Sequence, residues 1–311
     1  MKKIFLCISL LLFLIGCSQS ENRKISDLES WLKDNGKIKV LSTTGMIGDL
    51  VSRVGKDRID QLTLIYGDID PHTYELVKGD DEKFQFAQVI FSNGLGLEHG
   101  ASLQRRLQIH SNVISLGSEI QKKSAESILK KDGQVDPHIW LDVSLMKMAV
   151  DPIIEALSLQ DPSFAEEYQH NGALLKEDLE ALDQRIIGIM RKIPDEKRYL
   201  VTSHDAFNYF AKRYLGDARC IAPEGLAPEG QLSVADIQEV VRKIQLNGIH
   251  VLFPESNVSK DSLKKIAYVC KEKGIDVRIS SDPLYADAMG PRTYLEMMQY
   301  NAEVICGALD E

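Results

Sequence analysis

The sequence predicts an α/β fold in which two Rossmann-like lobes are joined by one long helix. Three observations lead to this prediction. Short apolar runs of strand character alternate with stretches of helical periodicity before residue 160, and the same alternation returns after residue 195. Between the two blocks lies a single uninterrupted helical pattern. Because strands that alternate with helices form βαβ units and parallel sheets, each block is expected to fold as one lobe, with a cleft between the lobes.

The first block contains four predicted strands rich in Ile, Val and Leu: Lys37–Ser42, Arg58–Tyr66, Val89–Ser92 and Asn112–Leu116. Helical spacing at Ile47–Val54 follows the first strand and ends at Gly55. Further helical patterns lie between the later strands. Strand and helix signals in this order indicate a parallel sheet covered by helices.

The linking segment begins at Asp161-Pro162, where an N-cap residue precedes proline at the first helical position. No further proline occurs before Pro194, and the glycines Gly172 and Gly188 weaken the helical propensity only locally. Its apolar residues recur at helical spacing: Leu174, Leu175, Leu179, Leu182, Ile186, Ile187 and Met190. A rigid helix of roughly 30 residues, about 45 Å long, is predicted.

The second block repeats the alternation. Its predicted strands are Tyr199–Thr202, His250–Phe253 and Asp276–Ile279. Its predicted helices are Ala206–Tyr214, Val234–Gln245, Ser259–Lys273 and Thr293–Leu309. Two similar blocks on either side of one helix are typical of a bilobed receptor with a ligand in the cleft.

The chain starts with an export signal. Lys2 and Lys3 precede the apolar run Ile4–Ile15, which is too short to span a bilayer. The run ends in Leu-Ile-Gly before Cys17, which looks like a bacterial lipoprotein cleavage box. Acylation of Cys17 would anchor the protein to a membrane in the periplasm or cell envelope. The alternative is ordinary cleavage nearby without a lipid.

These boundaries divide the chain into five parts: a signal peptide (1–17), a tether (18–36), a first lobe (37–160), the linking helix (161–194) and a second lobe (195–311). The formal net charge of −9 argues against a nucleic-acid groove, which requires clustered basic residues. Among the cysteines that follow Cys17, Cys220, Cys270 and Cys306 allow one disulfide and one free thiol, in a pairing that spacing does not determine. None of them has the spacing of a zinc motif.

Two histidines lie in the same tripeptide, Asp-Pro-His, at His72 and His138. Proline restricts its own backbone and that of the residue before it, so each histidine is presented from a stiff turn. The aspartate two positions earlier is suited to orient a ligand loop or to act as a hydrogen-bond acceptor behind a ligand. One such turn is common, whereas two copies in an exported α/β protein suggest a metal site.

His204 and Asp287 follow predicted strands of the second block, and the carboxyl ends of strands face the ligand crevice in α/β folds. The rival interpretations are a hydrogen-bonded structural histidine and a turn-capping aspartate. Glu255 also follows a strand and could be a ligand, a helix cap or a base behind a ligand. His99 is interpreted as a rim or capping residue. Three further histidines are interpreted as structural: His110, His170 and His250.

Five segments in this order resemble the metal-receptor family of bacterial zinc, manganese and iron ABC importers: Asp70–Glu75, Asn93–Glu98, Asp136–Asp142, Ser203–Phe210 and Leu284–Gly290. Residues 70–83, 93–103 and 222–233 look especially like the chlamydial member. The resemblance places metal ligands at His72, His138, His204 and Asp287, in the cleft between the lobes. It favours Asp287 over Asp282 and counts Glu255 as a neighbour of the site.

The resemblance implies a monomeric receptor, not an enzyme, that captures one Mn, Zn or Fe ion and delivers it to a permease and its ATPase. Zinc-specific members often carry a His-rich loop before the second histidine, but Ser118–Val135 contains no histidine. This departure weakens a dedicated zinc role and leaves manganese and iron open. Two alternatives are a metal-dependent hydrolase, although no His-Glu-x-x-His motif occurs, and an adhesin or scaffold lipoprotein with a structural metal.

Overall fold

A computed structural model describes residues 28–131, 133–217, 219–228 and 232–310. The predicted signal peptide, the lipid site at Cys17 and the first part of the predicted tether lie outside these residues. Within the described ranges, no helix combines the length and the apolar character that a membrane crossing requires.

Four parallel strands form the sheet of the first lobe, in the order β2-β1-β3-β4. They are β1 (Ile38–Thr44), β2 (Ile59–Ile65), β3 (Val89–Ser92) and β4 (Val113–Ser115). The helices between and after them are α1 (Gly45–Gly55), α2 (Asp80–Phe86), α3 (Ala101–Ile109), α4 (Leu116–Lys123) and α5 (Val143–Gln160). A small antiparallel hairpin, β5 (Lys130–Lys131) and β6 (Gln134–Val135), precedes α5. The predicted alternation of strands and helices is confirmed.

The linking helix α6 extends over Ala165–Met190 and is preceded by a 3-10 turn at Pro162–Phe164. The helical segment therefore begins at Pro162, one residue after the predicted start at Asp161. α6 packs against α5 and α1 of the first lobe and against the terminal helix of the second. At 1.5 Å per residue, its length of about 39 Å is sufficient to reach both lobes.

The second lobe has four short strands, β7 (Leu200–Val201), β8 (Cys220–Ile221), β9 (Val251–Leu252) and β10 (Arg278–Ile279). β7 pairs with β8 and β9 with β10, both in parallel. The N–H of Phe253 donates to the carbonyl of Val201 at 2.7 Å and joins the two pairs. The resulting order, β8-β7-β9-β10, repeats the order of the first lobe. In each lobe, the second strand in sequence lies at the edge of the sheet, next to the first.

The helices of the second lobe are α7 (Asn208–Phe210), α8 (Val234–Asn247), α9 (Asp261–Glu272) and α10 (Tyr294–Asp310). The helix predicted at Ala206–Tyr214 begins two residues later than expected. It passes into a π-helical turn at Ala211–Leu215, where the N–H of Gly216 donates to the carbonyl of Ala211 at 2.8 Å. Sequence periodicity does not distinguish this wider turn from an α-helix over so few residues.

One large apolar core runs through both lobes and the linking helix. It includes Val40 and Leu50 of the first lobe, Ile186 of α6, and Phe210 and Ile305 of the second lobe. Two smaller clusters lie beside it, one in the first lobe and one in the second. Because the largest core is continuous, the lobes pack as one body around the cleft.

Residues 28–32 are helical, and Trp31 packs into the smaller cluster of the first lobe. The indole N–H of Trp31 donates to the carbonyl of Asp60 at 2.9 Å. The later part of the predicted tether is thus packed against the first lobe, because Trp31 has apolar surface to bury there. The thiols of Cys220, Cys270 and Cys306 are all free, so these three cysteines form no disulfide with one another.

Candidate metal centre

The structure brings His72, His138, His204 and Asp287 together between the lobes. One ligand atom from each residue lies within 4.8 Å of the others, and all four side chains are buried. His72 follows β2 and His138 follows the β5–β6 hairpin, whereas His204 follows β7 and Asp287 follows β10. Two residues from each lobe thus meet at one point.

The atoms that face one another are the imidazole Nε2 atoms and the carboxylate oxygens of Asp287. His204 Nε2 lies 3.1 Å and His72 Nε2 lies 3.7 Å from Asp287 Oδ2. His138 Nε2 lies 3.5 Å from Asp287 Oδ1 and 3.3 Å from His72 Nε2. Metal–ligand bonds of about 2.0–2.1 Å separate neighbouring tetrahedral ligands by about 3.3 Å, so these spacings suit a transition-metal ion.

Several of these atoms lack a well-directed hydrogen bond. Among the described residues, this holds for both buried carboxylate oxygens of Asp287 and for Nε2 of His204, although His204 Nε2 and Asp287 Oδ2 lie 3.1 Å apart. Leaving buried polar atoms unpaired is unfavourable unless another group satisfies them. A cation at the centre of the four side chains would satisfy these atoms together, so the donor set fits a metal ion.

The two Asp-Pro-His turns share one hydrogen bond and differ in another. Asp70 Oδ1 accepts from the backbone N–H of His72 at 2.8 Å, and Asp136 Oδ1 accepts from that of His138 at 3.0 Å. Asp136 Oδ1 also lies 2.7 Å from Nδ1 of the His138 ring. This contact directs Nε2 of His138 toward the other three side chains of the cluster, because a donor at Nδ1 leaves Nε2 as the acceptor. Asp70 instead accepts from the hydroxyl of Thr73.

Glu255 lies behind His204. Its Oε1 accepts from the backbone N–H groups of Ser203 at 2.8 Å and His204 at 3.0 Å, and its Oε2 contacts Nδ1 of the His204 ring. Glu255 faces the side of the ring opposite Nε2 and is not part of the four-residue cluster. Of a ligand, a helix cap and a base behind a ligand, the contacts of Glu255 fit the last position, from which its carboxylate orients the ring of His204.

Burial and neighbouring charges shift the pKa values of these groups in different directions. Burial lowers the pKa of His72 to about 3, although the charge of Asp287 opposes this shift. Burial also acts to lower the pKa of His204, but the carboxylates of Glu255 and Asp287 outweigh it and raise that pKa well above its usual value. Burial acts to raise the pKa of Asp287, and the histidines, His204 foremost, hold it below its usual range. Asp287 is therefore a carboxylate anion at neutral pH.

Asn93 and Glu98 support the turn that carries His138, although the sequence pattern predicts no role for either residue. Asn93 Nδ2 donates to the carbonyl of Pro137 at 2.9 Å. The buried carboxylate of Glu98 accepts from the backbone N–H groups of Asn93 at 2.7 Å and Gly94 at 3.0 Å. Both residues lie in the motif Asn-Gly-Leu-Gly-Leu-Glu, which is visible in the sequence. The role of this motif depends on the contact between Asn93 and Pro137, which are 44 positions apart.

The other candidates lie outside the cluster. The ring of His99 is 5.5 Å from that of His72, centroid to centroid, and the residue is half-buried beside the site. Three histidines contact backbone carbonyls or solvent elsewhere: His110, His170 and His250. Asp282 is exposed, whereas Asp287 is buried in the loop Leu284–Gly290, called here the aspartate loop.

A bilobed α/β fold with a buried centre of three histidines and one aspartate defines a receptor for a metal ion. The sequence matches, over residues 40–308, the family described as ZnuA: Zinc-uptake complex component A periplasmic, and the chain belongs to this family. The predicted family resemblance is therefore confirmed.

Three similar proteins illustrate the family. The metal-binding protein YtgA of Chlamydia muridarum is 39% identical over 310 residues, which cover 96% of this chain and 92% of the relative. The crystal structure of Fe(III)-bound YtgA from Chlamydia trachomatis superposes with a TM-score of 0.84 at 40% identity, covering 88% of this chain and 98% of that one. The manganese-binding lipoprotein MntA of Bacillus subtilis is 30% identical over 309 residues, 95% of each chain.

Proposed function

We propose that this protein captures one Mn, Zn or Fe ion outside the cytoplasm and delivers it to the permease of an ABC importer. His72, His138, His204 and Asp287 are the proposed ligands. The observation that carries the proposal is their convergence: four buried ligand atoms lie within 4.8 Å of one another, and several of them have no other partner among the described residues.

The donor set suits these three ions. Three imidazole nitrogens and a carboxylate bind zinc in four-coordinate geometry. A carboxylate that binds through both oxygens raises the coordination number, which suits manganese and iron. The relatives support the same range, since one is named for manganese and another was crystallised with Fe(III). The absence of histidine from residues 118–135 supports manganese or iron over a dedicated zinc role.

The geometry supports binding and release rather than catalysis. Catalytic zinc sites usually have three protein ligands and an open position for water or substrate. Here four protein side chains surround the centre, and each of them is at most 4% exposed. A substrate would have little access to the ion, so the hydrolase alternative is not favoured.

The rest of the chain is proposed to serve transport. Residues 1–17 direct export, a lipid on Cys17 anchors the protein, and residues 37–160 and 195–311 form lobes joined by the helix within 161–194. The protein acts as a monomer that docks on the permease, whose ATPase drives import. The lipoprotein name of the Bacillus subtilis relative supports the anchor.

Metal analysis of the protein purified from its native envelope, without added metal, tests the proposal directly. We expect about one transition-metal ion per chain, because four ligands make one site of ordinary coordination number. The double variant His72→Ala/His138→Ala should contain no bound ion after the same purification. The matched control is His170→Ala/His250→Ala, which removes two exposed histidines away from the cluster.

Circular dichroism of each variant establishes that it is folded. If the folded His72→Ala/His138→Ala variant binds metal as tightly as the wild type, the proposed ligand set is wrong. If a strain that lacks the protein shows no metal-uptake defect, the role in import is wrong, even where binding is intact.

A further inference from the structure

Trp140 contacts the ligand-bearing segments of both lobes. Its ring lies 5.2 Å from the ring of His138, centroid to centroid. Its indole N–H donates to the carbonyl of Ala286 at 2.7 Å, across 146 positions of the chain. Ala286 immediately precedes Asp287, and Trp140 is only 1% exposed. One buried side chain therefore joins the turn that carries His138 to the aspartate loop.

Asp287 differs from His138 and His204 in how its ligand atoms are oriented. Asp136 contacts Nδ1 of His138, and Glu255 contacts Nδ1 of His204. The carboxylate oxygens of Asp287 instead face Nε2 of the three histidine rings, at 3.1 to 3.7 Å, and among the described residues no side chain from outside the cluster donates to them. The position of this carboxylate consequently depends on the contacts that hold its backbone.

Two side chains hold the backbone directly before Asp287. Asn301 Oδ1 accepts from the N–H of Tyr285 at 2.9 Å, and Asn301 Nδ2 donates to the carbonyl of Tyr285 at 2.8 Å. The carbonyl of the next residue, Ala286, receives the indole bond of Trp140. Trp140 thus supplies the anchor nearest to Asp287, and this anchor comes from the first lobe.

The remainder of the aspartate loop is closely packed. Gly290 has a φ of +62°, and a Cβ atom there would lie 2.6 Å from Cε1 of Tyr285. Arg292 donates to the hydroxyl of Tyr285 at 2.7 Å and lies 4.1 Å from the ring centroid of Tyr300. These contacts hold the loop within the second lobe, but they do not set its distance from His138.

Trp140 is itself held in place. Its carbonyl accepts from the hydroxyl of Tyr294 at 2.7 Å, and the N–H of Tyr294 donates to Asp49 Oδ2 at 3.1 Å. Asp49 belongs to α1 of the first lobe, and Tyr294 begins α10. The indole therefore has a defined position relative to both lobes, and it can serve as a rigid spacer between them.

We propose that Trp140 is a positioning residue whose indole N–H fixes Asp287 relative to His138 across the cleft and so sets how tightly and how long the ion is held. This inference rests on the proposed function of the site. Without the indole donor, the buried carbonyl of Ala286 would be unpaired, and the loop would shift to satisfy it. Loss of contacts behind metal ligands typically weakens metal binding about 10- to 100-fold.

The test compares Trp140→Phe with Trp31→Phe. The chain has two tryptophans, and Trp31 also donates its indole N–H to a backbone carbonyl, that of Asp60, but in a separate apolar cluster. Purified full-length protein is titrated with Zn²⁺ and with Mn²⁺ against a chromophoric chelator, and ion release is timed by stopped flow. We expect Trp140→Phe to bind about tenfold more weakly, mainly through faster release. Trp31→Phe should match the wild type.

Two further measurements separate positioning from general packing. A loss of packing alone would lower the melting temperature of the metal-free protein without accelerating ion release. Replacement of the Trp140 side chain by benzothienylalanine keeps the shape and exchanges the indole N–H for sulfur. This variant should be folded and should show the same faster release as Trp140→Phe.

Equal release rates for the Trp140 and Trp31 variants would overturn the positioning role, as would unchanged release in the benzothienylalanine variant. Failure of the proposed function has a different signature. In that case the folded His72→Ala/His138→Ala variant would bind Zn²⁺ and Mn²⁺ as the wild type does, whatever the behaviour of Trp140→Phe.

Discussion

At the residue scale, the same tripeptide places two histidines by different contacts. Asp136 touches both the backbone and the ring of His138, whereas Asp70 touches the backbone of His72 and the hydroxyl of Thr73. A carboxylate against Nδ1 selects the tautomer that presents Nε2 and makes the imidazole a stronger ligand. The Asp70 turn therefore positions His72, whereas the Asp136 turn both positions His138 and raises the basicity of its imidazole.

Asp136→Asn and Asp70→Asn form a matched pair that tests this difference. We expect Asp136→Asn to weaken Zn²⁺ and Mn²⁺ binding about tenfold, because a neutral amide no longer polarises the ring of His138. Asp70→Asn keeps an oxygen acceptor for the N–H of His72 and should have a smaller effect. Chelator competition measures both affinities. Equal effects of the two substitutions would show that ring contact with Asp136 is unimportant.

At the element scale, the two glycines of the linking helix have opposite surroundings. A Cβ atom at Gly188 would have no neighbour within 4 Å, whereas a Cβ atom at Gly172 would lie 2.2 Å from Cδ1 of Ile154 in α5. Gly172 permits close packing of α5 on α6, and Gly188 lies on an exposed face. Both glycines lower the helix propensity of α6, but only at Gly172 does close packing explain why a side chain is absent.

Alanine substitutions should therefore change the free energy of unfolding in opposite directions. Gly188→Ala is expected to stabilise the protein by about 1 kcal/mol, since alanine is the better helix former. Gly172→Ala is expected to destabilise it by about 1–3 kcal/mol, because Ile154 must move out of its packed position. Urea unfolding of the metal-free protein measures both values. Stabilisation by Gly172→Ala would contradict the close approach of α5 and α6.

At the scale of the whole molecule, the lobes share one apolar core with the linking helix. Arg213 and Tyr214 of the second lobe also bind Asp183 of α6, at 2.5 and 2.8 Å. The terminal helix α10 packs on α6 and α1. A hinge that closed by a large rotation would have to break this core, so ion binding is expected to involve small local shifts.

Metal removal tests this expectation. The radius of gyration from small-angle X-ray scattering should be the same for the chelator-treated and the Zn²⁺-loaded protein. The melting temperature should nevertheless rise with Zn²⁺, because an ion that binds only the folded state stabilises it. The His72→Ala/His138→Ala variant should show no such rise. A clear contraction on loading would demonstrate a hinge motion that the continuous core argues against.

The alternation of strands and helices, the long segment between two prolines and the repeated Asp-Pro-His turn are local patterns. Local patterns reflect local chemistry, so the sequence alone was sufficient for the two lobes, the linking helix and the candidate residues His72, His138 and His204. Asp287 needed the family resemblance as well, because Asp282 and Glu255 occupy equally plausible positions after strands.

Only the tertiary structure decided how these residues meet. The roles of Asn93, Trp140 and Glu255 each depend on contacts between segments far apart in the chain, such as the 146-residue separation of Trp140 and Ala286. Periodicity and turn chemistry carry no information about such distances, since they arise from packing the lobes around a common core. The sequence by itself thus determined which side chains could bind a cation. The packed fold decided which of these side chains face one another and which other side chains hold them in place.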